Sequence, residues 1–170
     1  PKQDEIAAMF GYDSTPEGLW PQQYDPRVDA VIAIVPDGDI WGAEYQGVAS
    51  LTVPTMIVTS SNDTANVPTR AAYPIYEHLG STAKSLLVFN GADHTLSHDS
   101  CEVIPWLVDV FQAFSTCADL VWDKDRAHDL FNHFTTAFLL DVFNSDAGAH
   151  SALLAENVSF PGITYETTLK

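Results

Sequence analysis

An α/β fold with about three parallel strands is what the sequence predicts, on three observations. Three short apolar runs, 28–35, 53–59 and 85–89, are rich in β-branched residues and stop at Pro, Asn, Ser or Gly, the pattern of strands covered on both faces of a sheet. The stretch between the second and third runs carries apolar residues at helical spacing. Strand, helix, strand with a connection of that length makes a parallel βαβ unit.

Taken in order, residues 4–10 read as the end of a helix. Residues 11–26, which carry Pro16, Gly18, Pro21 and Pro26, read as a connector. The run 28–35 is a strand closed by Pro36-Asp37-Gly38. After the second strand, Pro68 suits a helical first turn, and 69–79 places Ala72, Ile75, Tyr76 and Leu79 on one face of a crossover helix. Beyond the third strand, 103–114 and 126–143 read as helices, the second with Phe131, Phe134, Phe138 and Val142 at helical spacing. Residues 149–154 suit a short helical turn. The stretch 158–169 alternates Ile163, Tyr165 and Thr167 after Pro161-Gly162, which fits either a terminal hairpin or an extended arm. The chain is thus expected to be one partial domain over 1–170: helix end and connector (1–26), sheet and helices (27–145), and a C-terminal extension (146–170). In a three-strand parallel sheet the 28–35 strand would lie at the outside, an apolar edge with unpaired amides. A further strand, from missing sequence or another chain, is expected to pair there.

With 46% hydrophobic and 11% aromatic residues, 170 residues suffice for one core rather than a disordered chain. Seven Lys and Arg against 23 Asp and Glu leave a net charge of -16, which repels phosphate backbones and anionic membranes and argues against nucleic acid as a partner. No apolar run approaches membrane-spanning length, and no basic-then-apolar leader opens the chain. The first residue is Pro1 rather than Met, so a processed product is expected. The two cysteines, Cys101 and Cys117, have neither zinc nor Cys-x-x-Cys spacing. A straight helix between them would hold their Cα atoms about 24 Å apart, so a bridge requires the chain to double back.

The residues that carry chemistry are Asp63 and His94, each just past a predicted parallel strand, where open sheets of this class place their ligand sites. Acid before base is the order found when a serine nucleophile precedes both. A hydroxyl nucleophile needs a base to take its proton and a carboxylate to hold that base in one tautomer. No Gly-x-Ser-x-Gly elbow occurs in the chain, so the nucleophile is expected outside it. Asp93 is a local competitor for the acid, but an aspartate next to a histidine in sequence rarely aims at its ring. His98 lacks the neighbouring carboxylates of a metal pair, and no metal or cofactor is expected. His78, His128, His133 and His150 read as ordinary surface or core-edge residues, and the Phe131, Phe134, Phe138 row as the buried face of a helix. Asn62-Asp63-Thr64 and Asn157-Val158-Ser159 match the glycosylation sequon, meaningful only in a eukaryotic secretory pathway.

The run Val53-Pro54-Thr55-Met56-Ile57-Val58-Thr59-Ser60-Ser61-Asn62-Asp63-Thr64, with Val67-Pro68, resembles the acid loop of α/β-hydrolases. Asn90-Gly91-Ala92-Asp93-His94 is similar to their histidine loop, and the pattern is closest to cutinase-like polyester hydrolases and dienelactone hydrolase-like esterases. The resemblance covers roughly residues 28–143 and implies the C-terminal half of an α/β-hydrolase fold. The remainder would be missing N-terminal sequence or a second chain, supplying the serine elbow, the oxyanion donors and a neighbouring strand. It implies a carboxylic ester hydrolase with Asp63 as acid and His94 as base, acting on a small or polymeric ester. It also implies a Cys101–Cys117 disulfide ahead of the Asp125-Arg126-Ala127-His128 helix, hence a secreted or periplasmic setting, and a substrate contact for Trp41. A non-catalytic binding domain or remnant, and a serine peptidase of the same fold, are the alternatives.

Overall fold

The computed structural model describes residues 2–17, 25–38 and 45–170. Its centre is a four-stranded sheet in the order β1-β2-β3-β4, formed by Val31–Ile34, Thr55–Ser60, Lys84–Phe89 and Ile163–Thr167. The first three strands are parallel, with Val31 opposite Thr55 and Thr55 opposite Lys84. The fourth runs antiparallel to β3, with Phe89 opposite Ile163. The three expected parallel strands are present, and an antiparallel fourth joins them. The 158–169 stretch is the added strand: Gly162, at φ 82°, turns the chain so that its carbonyl accepts the Asn90 N–H at 2.8 Å. Ile163 and Tyr165 then face the core while Thr164 and Glu166 face away.

β2 and β3 are buried throughout apart from Lys84, as their apolar runs predict. Their pleat divides the interior in two. Met56, Val58, Leu87 and Phe89 pack on one face against Leu130, Phe134 and Phe138, while Ile57, Leu86 and Val88 pack on the other against Val48, Ala72, Ile75 and Leu79. The second face is covered by helix α2 (Ala72–His78), which follows a 3-10 turn opened by Pro68. The Lys84 ammonium donates to the Tyr76 carbonyl at 2.7 Å and the Leu79 carbonyl at 3.2 Å, a cation where the negative end of the α2 dipole favours one.

β1 is shorter than the 28–35 run and is not covered on both faces: its residues are half-buried or exposed, with Ile34 at 43%. The reason is position. It lies at the end of the sheet and hydrogen-bonds only to β2 among the described residues. Val35 takes φ 43° just beyond it, unusual for a β-branched residue, and turns its carbonyl to accept Asn66 Nδ2 at 2.7 Å.

Helix α1 (Lys2–Met9) occupies the expected N-terminal place and buries Ala7. The continuous helix expected over 103–114 is instead two single turns, α3 (Trp106–Asp109) and α4 (Phe114–Cys117). Gln112, in the left-handed region at φ 53°, reverses the chain between them. That reversal brings the Cα atoms of Cys101 and Cys117 to 4.7 Å, and their sulfurs are bonded. Val103, Trp106, Val110, Phe111 and Phe114 of this closed segment are exposed.

Helix α5 (Lys124–Asn144) is capped by Asp123, whose carboxylate accepts the Arg126 N–H at 2.8 Å. Its apolar stripe of Leu130, Phe134 and Phe138 lies on β2 and β3. Helix α6 (Ala147–Ala152), capped in the same way by Asp146, folds back on α5. His150 of α6 pairs with Asp141 at 3.1 Å and its Nε2 donates to the Lys170 carbonyl at 3.1 Å. That carbonyl first, then the hydrogen bond and charge of Asp141, raise the His150 pKa above its ordinary 6.5. A raised folded-state pKa stabilises below the unfolded value and is lost as pH rises through the folded one. The melting-temperature difference between the wild type and His150→Gln should therefore be largest below pH 6.5 and shrink as pH rises above it. A difference that grows with pH would show that the neutral ring makes the contact.

Candidate active site

Backbone pairing past the strand ends builds the site. The Ser61 N–H donates to the Phe89 carbonyl and the Asn62 N–H to the Ala92 carbonyl, each at 3.0 Å, so the loops after β2 and β3 run side by side. The Ser61 hydroxyl also accepts the Gly91 N–H at 2.7 Å. Gly91, at φ 80°, makes the bend that only glycine adopts easily, and a Cβ there would come within 3.2 Å of the Val121 side chain.

Asp63 then closes a tight turn. Its Oδ1 accepts the N–H groups of Ala65 at 2.9 Å and Asn66 at 2.8 Å. Its Oδ2 lies 2.8 Å from His94 Nδ1, with the Asp63 side chain fully buried and the His94 side chain 34% exposed. An ionised carboxylate can only accept, so Nδ1 carries a proton toward it, and the tautomer of the neutral ring that fits this contact has its lone pair on Nε2. The ring is thus held in one orientation, and Nε2 has no hydrogen-bond partner among the described residues. The two residues singled out in sequence are thus brought together.

The competitor plays a different part. Asp93 caps the 3-10 turn His94–Ser97, its carboxylate accepting the His94 backbone N–H at 2.7 Å rather than meeting the ring. His98 contributes its carbonyl, which accepts from Lys124 Nζ at 3.2 Å and from His128 Nε2 at 3.1 Å. Trp41 lies outside the described residues. Among those residues no group of three His, Cys, Asp or Glu is placed to hold a metal, and no helix is long and apolar enough to cross a membrane.

Three residues that sequence reasoning passed over, Asp119, Trp122 and Lys124, touch the histidine loop, as does His128, which it read as an ordinary surface or core-edge residue. Asp119 Oδ2 accepts the Asp93 N–H at 2.8 Å, and Trp122 Nε1 donates to the Asn90 carbonyl at 2.9 Å. Lys124 donates to the Thr95 and His98 carbonyls, and His128 donates to the latter. Lys124 is only 5% exposed. Burial pulls its pKa below the ordinary lysine value, against the nearby charges of Asp119 and Asp99. A lysine in the first turn of a helix opposes the dipole, and that misplacement is the one sequence signal of a buried partner.

Concave regions lie beside the sheet and beside both loops. A groove of about 290 Å³ beside α2 is lined by Tyr73, Tyr76, Leu86, Val88 and Thr164, away from the dyad. A cleft of about 320 Å³ runs from Ile34 at the open end of β1 to Ser97 of the histidine turn, with Phe131 and Thr135 below. In comparison with known proteins, a family model described as PET hydrolase-like matches residues 8–113, a span that includes both loops. No curated protein matches the chain.

Proposed function

The chain belongs to the PET hydrolase-like family of α/β-hydrolases, and we propose from this that it supplies the acid and base of a serine-dependent carboxylic ester hydrolase. The observation that carries the reading is the 2.8 Å contact between His94 Nδ1 and Asp63 Oδ2. His94 Nε2 would take the proton of an attacking serine hydroxyl and return it to the leaving alcohol, while Asp63 keeps the ring in that tautomer and balances the imidazolium. Water, activated by the same nitrogen, would then release the acid from the acyl-enzyme.

The serine lies outside this sequence, which has no Gly-x-Ser-x-Gly. The edge of β1 that has no partner strand among the described residues, and the cleft between Ile34 and Ser97, suit the strand and elbow that would bring it, whether from an upstream segment or from a separate chain. Backbone amides of that segment would hold the oxyanion. The disulfide between Cys101 and Cys117 fits an exported enzyme, because such bonds persist in oxidising surroundings.

The test, made on the protein prepared together with the segment or chain that would carry the serine, is labelling with a fluorophosphonate, read by intact mass without reduction alongside hydrolysis of a short p-nitrophenyl ester. The expected result is loss of hydrolysis together with mass added to a serine outside residues 1–170. Hydrolysis that survives labelling, label on a serine of this chain, or no ester hydrolysis at all would each overturn the proposal.

A further inference from the structure

We propose that Asp119 and Lys124 are positioning residues for His94, clamping the backbone on either side of it from one short strap. The strap begins at Cys117, bonded to Cys101, and ends at the first turn of α5. Along it, Trp122 holds the Asn90 carbonyl, Asp119 holds the Asp93 N–H, and Lys124 holds the Thr95 and His98 carbonyls. A carboxylate therefore grips the amide just before His94, and an ammonium grips the carbonyls just after it. Asp119 is itself fixed, since its Oδ1 accepts the N–H groups of Val121 and Trp122 at 2.9 Å each. The whole strap, from Cys117 to Lys124, lies beyond the matched residues 8–113.

Stability alone does not account for this arrangement. A buried ammonium is costly to desolvate, and a well-packed apolar residue usually serves a core as well or better. What an apolar residue cannot do is donate directionally to two carbonyls. Held this way, the His94–Ser97 turn has one place relative to the Asp63 loop, which is tied to β3 at Phe89 through the Ser61 N–H and to the start of the histidine loop at Gly91 and Ala92 through the Ser61 hydroxyl and the Asn62 N–H. The ring then meets Oδ2 without a search. Small displacements matter here, because misplacing a reacting group by about 1 Å costs roughly 100-fold in rate.

The inference rests on His94 being the base, but its first readout requires no serine. In 15N-labelled protein, the His94 Nδ1 proton should exchange with solvent about tenfold faster or more in Lys124→Met, the change expected for a weakened charge-assisted hydrogen bond. Lys124→Arg should restore much of the protection. Amides of Ile57 and Leu87 in the buried strands should exchange at wild-type rates. Should Lys124→Met not fold, Asp119→Asn is the second variant, since it can keep the acceptor for Val121 and Trp122 and lose the one for Asp93; a smaller change in the same direction is expected. In the active enzyme, kcat should fall roughly 100-fold in Lys124→Met with KM nearly unchanged. Wild-type exchange at His94 in a folded variant would overturn the proposal, as would equal acceleration at Ile57 and Leu87, which would make the clamp merely structural. Absence of ester hydrolysis would overturn the function and leave the exchange result standing.

Discussion

Replacing His94 by alanine is expected to lower ester hydrolysis by about 10⁴-fold or more, with the fold intact. The ring is on a surface turn and a third exposed, so its loss opens no core cavity. What is lost, on the proposed reading, is the nitrogen that Asp63 holds in place to accept a proton. Asp63→Asn should cost a comparable factor by a different route. An asparagine that keeps Oδ1 as acceptor for Ala65 and Asn66 presents its NH₂ to the ring, which favours the tautomer with the proton on Nε2 and blocks the base. The two losses should not add, because both act through one proton transfer. Turnover by p-nitrophenyl ester hydrolysis, with circular dichroism to verify the fold, checks this. Turnover within tenfold of wild type in His94→Ala would remove the residue from the mechanism.

Phe134→Ala is expected to be the most damaging of single core truncations, at about 3–5 kcal/mol. Phe134 is fully buried at the middle of α5, with its ring 5.4 Å from Tyr165 and 5.7 Å from Phe160. One side chain thus joins α5 to β4 and to the segment ahead of it. Rings at these spacings gain from their orientation as well as from burial. Urea unfolding should show a lower midpoint with an unchanged slope. A loss below about 1 kcal/mol would mean that the α5 face of the sheet had collapsed into the space and does not hold the domain together as described.

What could be read in the sequence follows from which interactions leave a residue-type signature. β2 and β3 were legible because strands covered on both faces become nearly unbroken apolar runs, and the dyad because Asp63 and His94 stand at the ends of those runs. β4 was not placed, since the alternation of Ile163, Tyr165 and Thr167 suits any free edge and nothing local selects β3. The break at Gln112 was missed because a glutamine carries no mark of the left-handed backbone that the chain reversal imposes. Asp119 and Lys124 were passed over for a related reason. Their partners are backbone amides and carbonyls, which look alike at every position of a sequence.

The sheet also fixes an order of assembly. Its parallel strands arrive in sequence as the chain is made, but β4 must return across a long loop, with Asn90 and Thr164 separated by 74 residues when their side chains meet. Closing such a loop is slow compared with local pairing, although each doubling of its length adds only about 0.6 kcal/mol. Until it closes, β3 is an unprotected flank during synthesis, and Leu87 and Phe89 wait on strand residues made more than 70 positions later, as the 74-residue separation of Asn90 and Thr164 implies. A truncation ahead of Ile163 would leave Asp63 and His94 in the chain while exposing the strand that carries the histidine loop to non-native pairing.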